Sequence, residues 1–207
     1  MKYDLALFDF DGTLADSYPW FVSVMGEVAD RFKFRRIDPS EHDAVRRLDS
    51  KQFLRRVGLP LWKVPLVAAH VRKLQGEQIA SILPFPGVHD LFRQLVDRGV
   101  AIGVLTSNAE SNVRAVLGPA ASALVTHFDC NASLFGKARK IRSVLRRTGA
   151  DPSRTILIGD EARDIDAARA AGIASGAVAW GYADPEALRA RGPTEVFLSL
   201  EEIAERL

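Results

Sequence analysis

Short apolar runs of strand length recur along the chain, and polar or glycine residues follow each of them. The clearest runs are 3–8, 100–105 and 155–158. Runs this short and rich in aliphatic residues predict buried β-strands, because helices need longer stretches. Weaker runs predict further strands at 176–180 and 195–198, with a short one near 125–130.

Between these runs, apolar residues recur with the period of an α-helix. Helices are predicted over 86–98, 110–117, 137–148 and 163–171. The residues that follow them directly are glycines suited to a C-terminal cap: Gly99, Gly118, Gly149 and Gly172. Strands that alternate with helices of this length predict the α/β class, a Rossmann-like parallel sheet with helices on both faces. Ligands of such sheets bind outside the carboxyl ends of the strands.

Residues 15–82 interrupt this alternation, because they contain no convincing strand. Their apolar pattern predicts helices over 18–34, 39–48, 50–57 and 62–82. We therefore expect an α/β core of residues 1–14 and 83–207, with an inserted all-helical cap of residues 15–82. The chain would cross between the two parts near residues 15–17 and again at 83–87.

Composition narrows the class of protein without changing this picture. The 207 residues are 47% hydrophobic and 26% charged, which suits one globular core with an insert and argues against disorder. The single cysteine, Cys130, cannot form an internal disulfide, so we expect a cytoplasmic protein. No apolar run approaches the roughly 18 to 20 residues that cross a bilayer, so no membrane partner is expected. The formal net charge is only +2 and basic residues are interleaved with acidic ones, so nucleic-acid binding is not expected.

The strongest chemical signal follows the first predicted strand, where the sequence reads Asp9-Phe10-Asp11-Gly12-Thr13. A carboxylate at the end of a buried strand is costly to desolvate unless a cation or backbone N–H groups compensate it. Two carboxylates so close together favour a bound metal. An isolated sequence of this type would more often be a plain turn.

Other predicted strand ends carry the remaining parts of a phosphate site. Asp160 follows the strand at 155–158, and Asp164 lies one helical turn further on. Ser107 and Asn108 follow the strand at 100–105, while Lys137 comes directly after Gly136 at a predicted helix start. Each residue alone has a structural explanation, as a helix cap, a first-turn acid or a surface lysine. Their joint occurrence in this order is what points to a phosphate site.

These motifs resemble those of the haloacid dehalogenase superfamily of phosphohydrolases. The likeness is to the branch with a helical cap inserted after the first motif, which includes phosphoglycolate phosphatases. Residues 9–14 match its first motif, Ser107 with Asn108 its second, Lys137 its third, and Asp160 with Asp164 its fourth. The resemblance covers nearly the whole chain.

The resemblance implies an Mg²⁺-dependent phosphatase that acts on a small phosphomonoester such as 2-phosphoglycolate. Asp9 would be the nucleophile that forms an aspartyl-phosphate, and Asp11 the general acid and base. Phosphate would be held by the following groups: Lys137, Ser107, Asn108, Gly12 and Thr13. The Mg²⁺ ligands would be the side chains of Asp9 and Asp160 and the backbone carbonyl of Asp11, with Asp164 acting through a metal-bound water or by orienting Lys137.

Several alternatives remain open at this point. Thr106 competes with Ser107, and Lys140 with Lys137, for their roles. A sugar phosphomutase of the same superfamily, or a non-catalytic domain with this fold, would also fit parts of the pattern. Arg55 and Arg56 of the predicted cap could bind a second anionic group of the substrate, although a solvated helix face is the favoured explanation for each of them taken singly. A monomer or a homodimer is expected.

Overall fold

Six strands form one parallel sheet within residues 2–132 and 136–207, the part of the chain that the computed structural model describes. The strands are β1 (Leu5–Phe8), β2 (Ala101–Leu105), β3 (His127–Asp129), β4 (Thr155–Gly159), β5 (Ala174–Val178) and β6 (Glu195–Phe197). Their order in the sheet is β3-β2-β1-β4-β5-β6. The first strand therefore lies at the centre, between β2 and β4, at the point where the order of strands reverses.

Except for α2, which has no buried residue, the α-helices of the described chain bury apolar side chains on one face and leave the other face solvated. In chain order they are α1 (Tyr18–Phe32), α2 (His42–Arg46), α3 (Ser50–Val57), α4 (Val64–Glu77), α5 (Val88–Asp97), α6 (Glu110–Leu124), α7 (Lys137–Thr148), α8 (Ala162–Ala171), α9 (Pro185–Ala190) and α10 (Leu200–Arg206). Short 3₁₀ segments occur at Pro39–Glu41, Leu61–Lys63, Ile79–Ser81 and Pro152–Arg154.

Both faces of the sheet are covered, because side chains alternate along each strand. On β1, Ala6 and Phe8 belong to the larger apolar cluster, which includes residues of α5, α6 and α10. Leu5 and Leu7 belong to a second cluster on the opposite face, with residues of α7 and α8. This two-sided burial explains why the strand sequences are continuous apolar runs.

Helix α6 contains a break that the sequence signals only in part. The apolar pattern predicts that this helix ends at residue 117 with a cap at Gly118. Gly118 does adopt a left-handed φ of 71°. Pro119 then begins a second helical segment that extends to Leu124, since proline suits the first turn of a helix.

Between β1 and α5 the described chain forms helices and loops and no strand, and this segment has an apolar cluster of its own. Val28 of α1, Leu54 and Val57 of α3, and Val67 of α4 are buried together there. Local signals fix the start and end of α3: the Asp49 side chain accepts from the Gln52 N–H at 2.8 Å, and Gly58 follows with a φ of 69°. We call residues 15–82 the cap, as predicted.

The two chain crossings between cap and core lie side by side. Ala15 forms an antiparallel bridge with Pro84. The Asp16 N–H donates to the Leu83 carbonyl, and the Phe85 N–H donates to the Leu14 carbonyl, each at 2.9 Å. This pairing leads the chain back into the core directly beside the loop that follows β1.

The predicted fold class is confirmed, and the differences lie at the bounds of the elements. The helix predicted at 39–48 is a 3₁₀ segment followed by the short α2, and the one predicted at 62–82 is α4 flanked by two 3₁₀ segments. Helices α9 and α10 were not predicted, because each is at most seven residues long and shows too few turns for a period. The division into core and cap at residues 14 and 82 stays a prediction.

None of the helices in residues 2–132 and 136–207 combines the length and the apolar character that a bilayer crossing requires.

Candidate active site

Lys137 lies between two aspartates, Asp9 at the carboxyl end of β1 and Asp164 in the first turn of α8. Lys137 Nζ, at the first turn of α7, lies 2.5 Å from Asp9 Oδ2 and 2.5 Å from Asp164 Oδ1. All three side chains are at most 3% exposed. Burial alone would lower the pKa of Lys137, but the charges of Asp164 and Asp9 outweigh it, so its pKa is raised. The ammonium group is thus held in its charged form.

Asp160 adds a third buried carboxylate to this group. Ligand oxygens of Asp9, Asp160 and Asp164 all lie within 4.8 Å of one another. Burial, together with the charges of Glu161, Asp9 and the third aspartate, raises the pKa of Asp160 well above its usual range. Burial likewise raises the pKa of Asp164 to about 6. Three buried carboxylates exceed what one ammonium group can neutralise, and their oxygen donors fit a divalent cation such as Mg²⁺.

The Asp160 carboxylate is fixed by contacts from two loops. Thr13 Oγ1 donates to Asp160 Oδ1 at 3.0 Å, and the backbone N–H of Tyr182 donates to Asp160 Oδ2 at 2.8 Å. Trp180 Nε1 donates to the Thr13 carbonyl at 3.2 Å and secures the loop in turn. The carboxylate therefore has a defined orientation before any ligand is added.

Gly12 is required in this loop for two separate reasons. Its φ is 74°, a left-handed conformation that side chains with a Cβ rarely adopt. A Cβ at this position would lie 2.2 Å from Asp160 Oδ2 and 2.5 Å from Tyr182 Cδ1. The glycine therefore allows the loop after β1 to approach the end of β4.

We expect Gly12→Ala to lower the free energy of unfolding by about 1–3 kcal/mol through strain and overpacking. Activity should fall about 100-fold, since displacing Asp160 by an ångström misaligns the site. Gly58→Ala is the matched control, because Gly58 has a similar φ of 69° but open space around its Cβ position. Urea unfolding and turnover measure both effects. Equal losses of activity in the two variants would contradict this explanation.

Asp11 is directed away from the acidic cluster and towards the cap. Gln75 Nε2, on α4, donates to Asp11 Oδ1 at 2.7 Å, and Asn108 Nδ2 donates to Asp11 Oδ2 at 2.9 Å. Asn108 also donates to Gln75 Oε1 at 2.6 Å, which closes a three-membered network. Burial raises the pKa of the Asp11 carboxyl, and the hydrogen bond from Gln75 opposes part of this rise.

Asn108, which follows the carboxyl end of β2, is fixed by hydrogen bonds with several groups. Asn108 Oδ1 accepts from Asn112 Nδ2 at 3.0 Å and from the Ala109 N–H at 2.8 Å. Thr106 Oγ1 accepts a hydrogen bond from the Asn108 N–H at 3.1 Å. Ser107 has a partly exposed side chain on the wall of the cavity beside Asp11. Of the two residues considered, Ser107 is therefore the one that lines the cavity.

The structure brings together most of the predicted site residues. Within the described chain these are Asp9, Asp11, Gly12, Thr13, Ser107, Asn108, Lys137, Asp160 and Asp164. The rival Lys140 lies apart from them, 3.8 Å from Asp129. Asp11 belongs to the site, but its carboxylate is not part of the acidic cluster.

Arg55 and Arg56 are not brought to the site. Both are exposed residues of α3, and Arg56 pairs with Glu41 at the surface. Neither lines the cavity beside Asp11. The expectation that they meet the substrate therefore has no support from this arrangement, because the buried stripe of α3 is formed by Leu54 and Val57.

Sequence reasoning missed Gln75, Tyr182 and Arg163. Gln75 is only 3% exposed. The available signal in the sequence was a glutamine within the predicted amphipathic helix 62–82. Tyr182 Oη lies 3.0 Å from Ser17 Oγ and so links the loop after β5 to the first crossing. Arg163 pairs with Glu161 at 2.5 Å, while its buried Nε and Nη1 groups have no hydrogen-bond partner among residues 2–132 and 136–207.

The strand order β3-β2-β1-β4-β5-β6, with a buried acidic cluster at the switch point, defines an α/β protein of the Rossmann-like type whose site suits a divalent cation. A model of the haloacid dehalogenase-like hydrolases matches residues 6–178. The chain belongs to this family.

Individual relatives agree with this assignment. The phosphoglycolate phosphatase of Synechococcus elongatus is 34% identical over 188 residues, which cover 90% of this chain and 89% of the relative. The N-acetylmuramic acid 6-phosphate phosphatase of Pseudomonas aeruginosa is 26% identical over 194 residues, covering 90% of this chain and 86% of the relative. A crystal structure of a candidate phosphoglycolate phosphatase from Lactobacillus plantarum has the same fold, with a TM-score of 0.83, 22% identity and 99% of each chain covered. The protein is an enzyme of the phosphatase branch of the family.

Proposed function

We propose that the protein hydrolyses a phosphomonoester through an aspartyl-phosphate on Asp9, with Mg²⁺ as cofactor. The observation that carries this proposal is the buried arrangement of Lys137 between Asp9 and Asp164, beside Asp160. Such an arrangement places one carboxylate as a nucleophile next to positive charge, while a second carboxylate, Asp11, lies nearby with a raised pKa. Two titratable groups in different environments suit a nucleophile and an acid.

In the first step, a carboxylate oxygen of Asp9 attacks phosphorus. The bond between phosphorus and the alcohol oxygen breaks, and that oxygen takes the proton of Asp11. Lys137, Ser107 and the N–H groups of the loop after β1 would hold the phosphoryl oxygens as charge shifts between them. The raised pKa of Asp11 favours the protonated form that this step requires.

In the second step, water attacks the phosphorus of the aspartyl-phosphate. Asp11, now a carboxylate, takes the proton of that water, and the bond between phosphorus and the Asp9 oxygen breaks. Inorganic phosphate leaves and Asp9 is restored. One residue thus serves as acid and then as base.

The predicted Mg²⁺ ligands fit the chemistry of this cluster. Side-chain oxygens of Asp9 and Asp160 would hold the ion together with the Asp11 carbonyl, and Asp164 would orient Lys137, with which it forms a hydrogen bond of 2.5 Å. The ion would supply positive charge that offsets the repulsion of the nucleophile and the phosphate dianion.

The relatives' names support 2-phosphoglycolate as one compound to test, and N-acetylmuramic acid 6-phosphate shows how far substrates differ among relatives. Phosphate release should be measured for a panel of phosphomonoesters with Mg²⁺ and after chelation. We expect release with Mg²⁺ and loss of at least 100-fold in EDTA, restored by added Mg²⁺. Release that survives chelation would overturn the metal site. Interconversion of sugar phosphates without phosphate release would favour the mutase.

Gln75 should act as a positioning residue for Asp11. We expect Gln75→Leu to reduce kcat for alkyl phosphates about tenfold, because Asp11 loses a hydrogen-bond donor. The effect should be smaller for 4-nitrophenyl phosphate, whose leaving group needs little protonation. The hydrogen bond from Gln75 lowers the pKa of Asp11, so its loss raises that pKa. Because Asp11 must be a carboxylate in the second step, the acidic limb of kcat for 4-nitrophenyl phosphate should move to higher pH.

Gln94→Leu, at an exposed position of α5, is the control and should change neither quantity. Equal losses for both esters, with an unchanged pH profile, would mean that Gln75 only supports the local fold. The pH dependence of kcat distinguishes positioning of Asp11 from support of the fold. A general structural defect would lower kcat at every pH without moving the acidic limb.

A further inference from the structure

A cavity of about 350 Å³ lies between the cap and the core. At the core end its wall includes Asp11, Ser107 and Asn108, which are three of the predicted site residues. From there it extends between α1, α3 and α4 of the cap. One end of the cavity therefore lies at the proposed reaction site, and the other end lies inside the cap.

The cap end of this cavity is mostly apolar. Representative side chains on its wall are Phe21, Met25, Phe53, Leu54, Val67 and Val71. Several of them also belong to the apolar cluster of the cap. A ligand group that enters this end exchanges water for aliphatic and aromatic contacts, which favours apolar groups and disfavours charged ones.

The arginine side chains on the cavity wall form hydrogen bonds with groups of the core. Arg46 Nε and Nη2 donate to the carbonyls of Tyr182 and Gly181, each at 2.9 Å. Arg72 Nη1 donates to the Ser107 carbonyl at 3.2 Å. Arg163 follows β4, and its Nε and Nη1 groups have no hydrogen-bond partner among the described residues. Burial would lower the pKa of Arg163, but the charges of Glu161, Asp164 and Asp9 raise it. Positive charge on this wall is therefore concentrated towards the phosphate end.

The geometry points to a phosphomonoester whose alcohol carries an apolar group of medium length, with the phosphate at Asp9 and that group inside the cap. This inference rests on the proposed function and names its substrate class. Cavities of about 300–1,000 Å³ hold whole organic ligands, so a two-carbon acid would occupy only a small part of this one. A molecule of that length would leave the apolar end unfilled, so that end would contribute nothing to its recognition.

The test is a series of alkyl phosphates from ethyl to hexyl, with 2-phosphoglycolate as the reference. Burying one methylene group contributes about 0.8 kcal/mol, so kcat/KM should rise about three- to fourfold for each one added until the cavity is filled. Hexylphosphonate, which cannot be hydrolysed, should bind more tightly than ethylphosphonate by calorimetry, with a negative heat-capacity change. A flat series, or a preference for 2-phosphoglycolate over every alkyl ester, would overturn the inference.

Neighbouring alanines of α4 provide a matched pair of variants. Ala68 lines the cavity, whereas Ala69 is exposed on the same helix. Ala68→Phe should reduce kcat/KM for hexyl phosphate at least ten times more than for ethyl phosphate, because the ring occupies the cavity. Ala69→Phe should leave the ratio of the two esters as in the parent enzyme. An unchanged ratio in a folded Ala68→Phe protein would contradict the proposal.

The remaining outcomes separate this inference from the proposed function. If Ala68→Phe does not fold by circular dichroism, the alkyl series and the phosphonate titration on the unmodified enzyme decide the question. If short esters are hydrolysed with Mg²⁺ but chain length has no effect, only the substrate class is wrong. If no phosphomonoester is hydrolysed and no phosphonate binds, the proposed function and the inference both fail.

Discussion

Asp9→Asn should lower kcat by about 10⁴-fold or more, because an amide oxygen cannot replace a carboxylate as the attacking nucleophile. The change is nearly isosteric, so the fold should persist. The amide oxygen can still accept the Phe10 N–H, which donates to Asp9 Oδ1 at 2.7 Å. What disappears is the negative charge 2.5 Å from Lys137 Nζ. The loss of activity should therefore exceed any loss of stability.

A test of covalent catalysis requires a second measurement besides turnover, namely detection of the phosphoenzyme. Acid quenching during turnover should trap one phosphoryl group on the unmodified enzyme, detected as a mass increase, and none on Asp9→Asn. Asp16→Asn is the matched control, because Asp16 is exposed at the first crossing and should leave both results unchanged. An active Asp9→Asn protein, or one that still gains a phosphoryl group, would exclude Asp9 as the nucleophile.

Lys137→Met should lower the free energy of unfolding by about 3–5 kcal/mol in EDTA, because it leaves Asp9 and Asp164 buried without their cation. The variant should also lose most activity, since the ammonium group would hold the phosphoryl oxygens. Added Mg²⁺ should restore part of the lost stability, as a divalent ion can neutralise the same carboxylates. Urea unfolding with and without Mg²⁺ measures both effects.

Lys140→Met on the same helix is the matched control. Its side chain is 35% exposed and lies 3.8 Å from Asp129, so stability should change by less than about 1 kcal/mol. The pH dependence gives an independent check. Because the pKa of Lys137 is raised above 10.5, its contribution is complete below that pH and is lost as the pH rises through the higher folded value. Equal stabilities of the two variants would contradict the buried ion pairs.

The sequence predicts the α/β class because each strand is buried on both faces. Continuous apolar runs such as Leu5–Phe8 and Thr155–Gly159 occur only where helices cover both sides of a sheet. The polar residues after those runs follow from the same arrangement, since parallel strands deliver their carboxyl ends to one edge. Asp9 and Asp160 could therefore be assigned to one site before their distances were known.

The bounds of short elements could not be predicted in the same way. Helices α2, α9 and α10 have between five and seven residues, so an apolar period is not established over their length. The break at Gly118 shows the opposite case. Its glycine predicted the end of one helix correctly, but only tertiary packing shows that Pro119 begins another segment beside it.

The cap residues illustrate why charge alone is a poor guide to a substrate site. Arg55 and Arg56 were chosen because they are cations, yet helix geometry leaves them exposed while Leu54 and Val57 are buried. Ala68 carried no chemical signal and Gln75 only a weak one, and both became notable through their positions on α4. Which face of a cap helix meets the core depends on contacts far apart in sequence.

The sequence by itself determined the fold class and the set of acidic, hydroxyl and lysine groups at the strand ends, because burial and strand direction are encoded locally. Only the tertiary structure decided how those groups are used. It placed Lys137 between two carboxylates, turned Asp11 towards Gln75, and left an apolar cavity between cap and core. These features depend on distances between residues far apart in the chain, such as Asp9 and Asp164, which are 155 positions apart. No local pattern specifies such a distance.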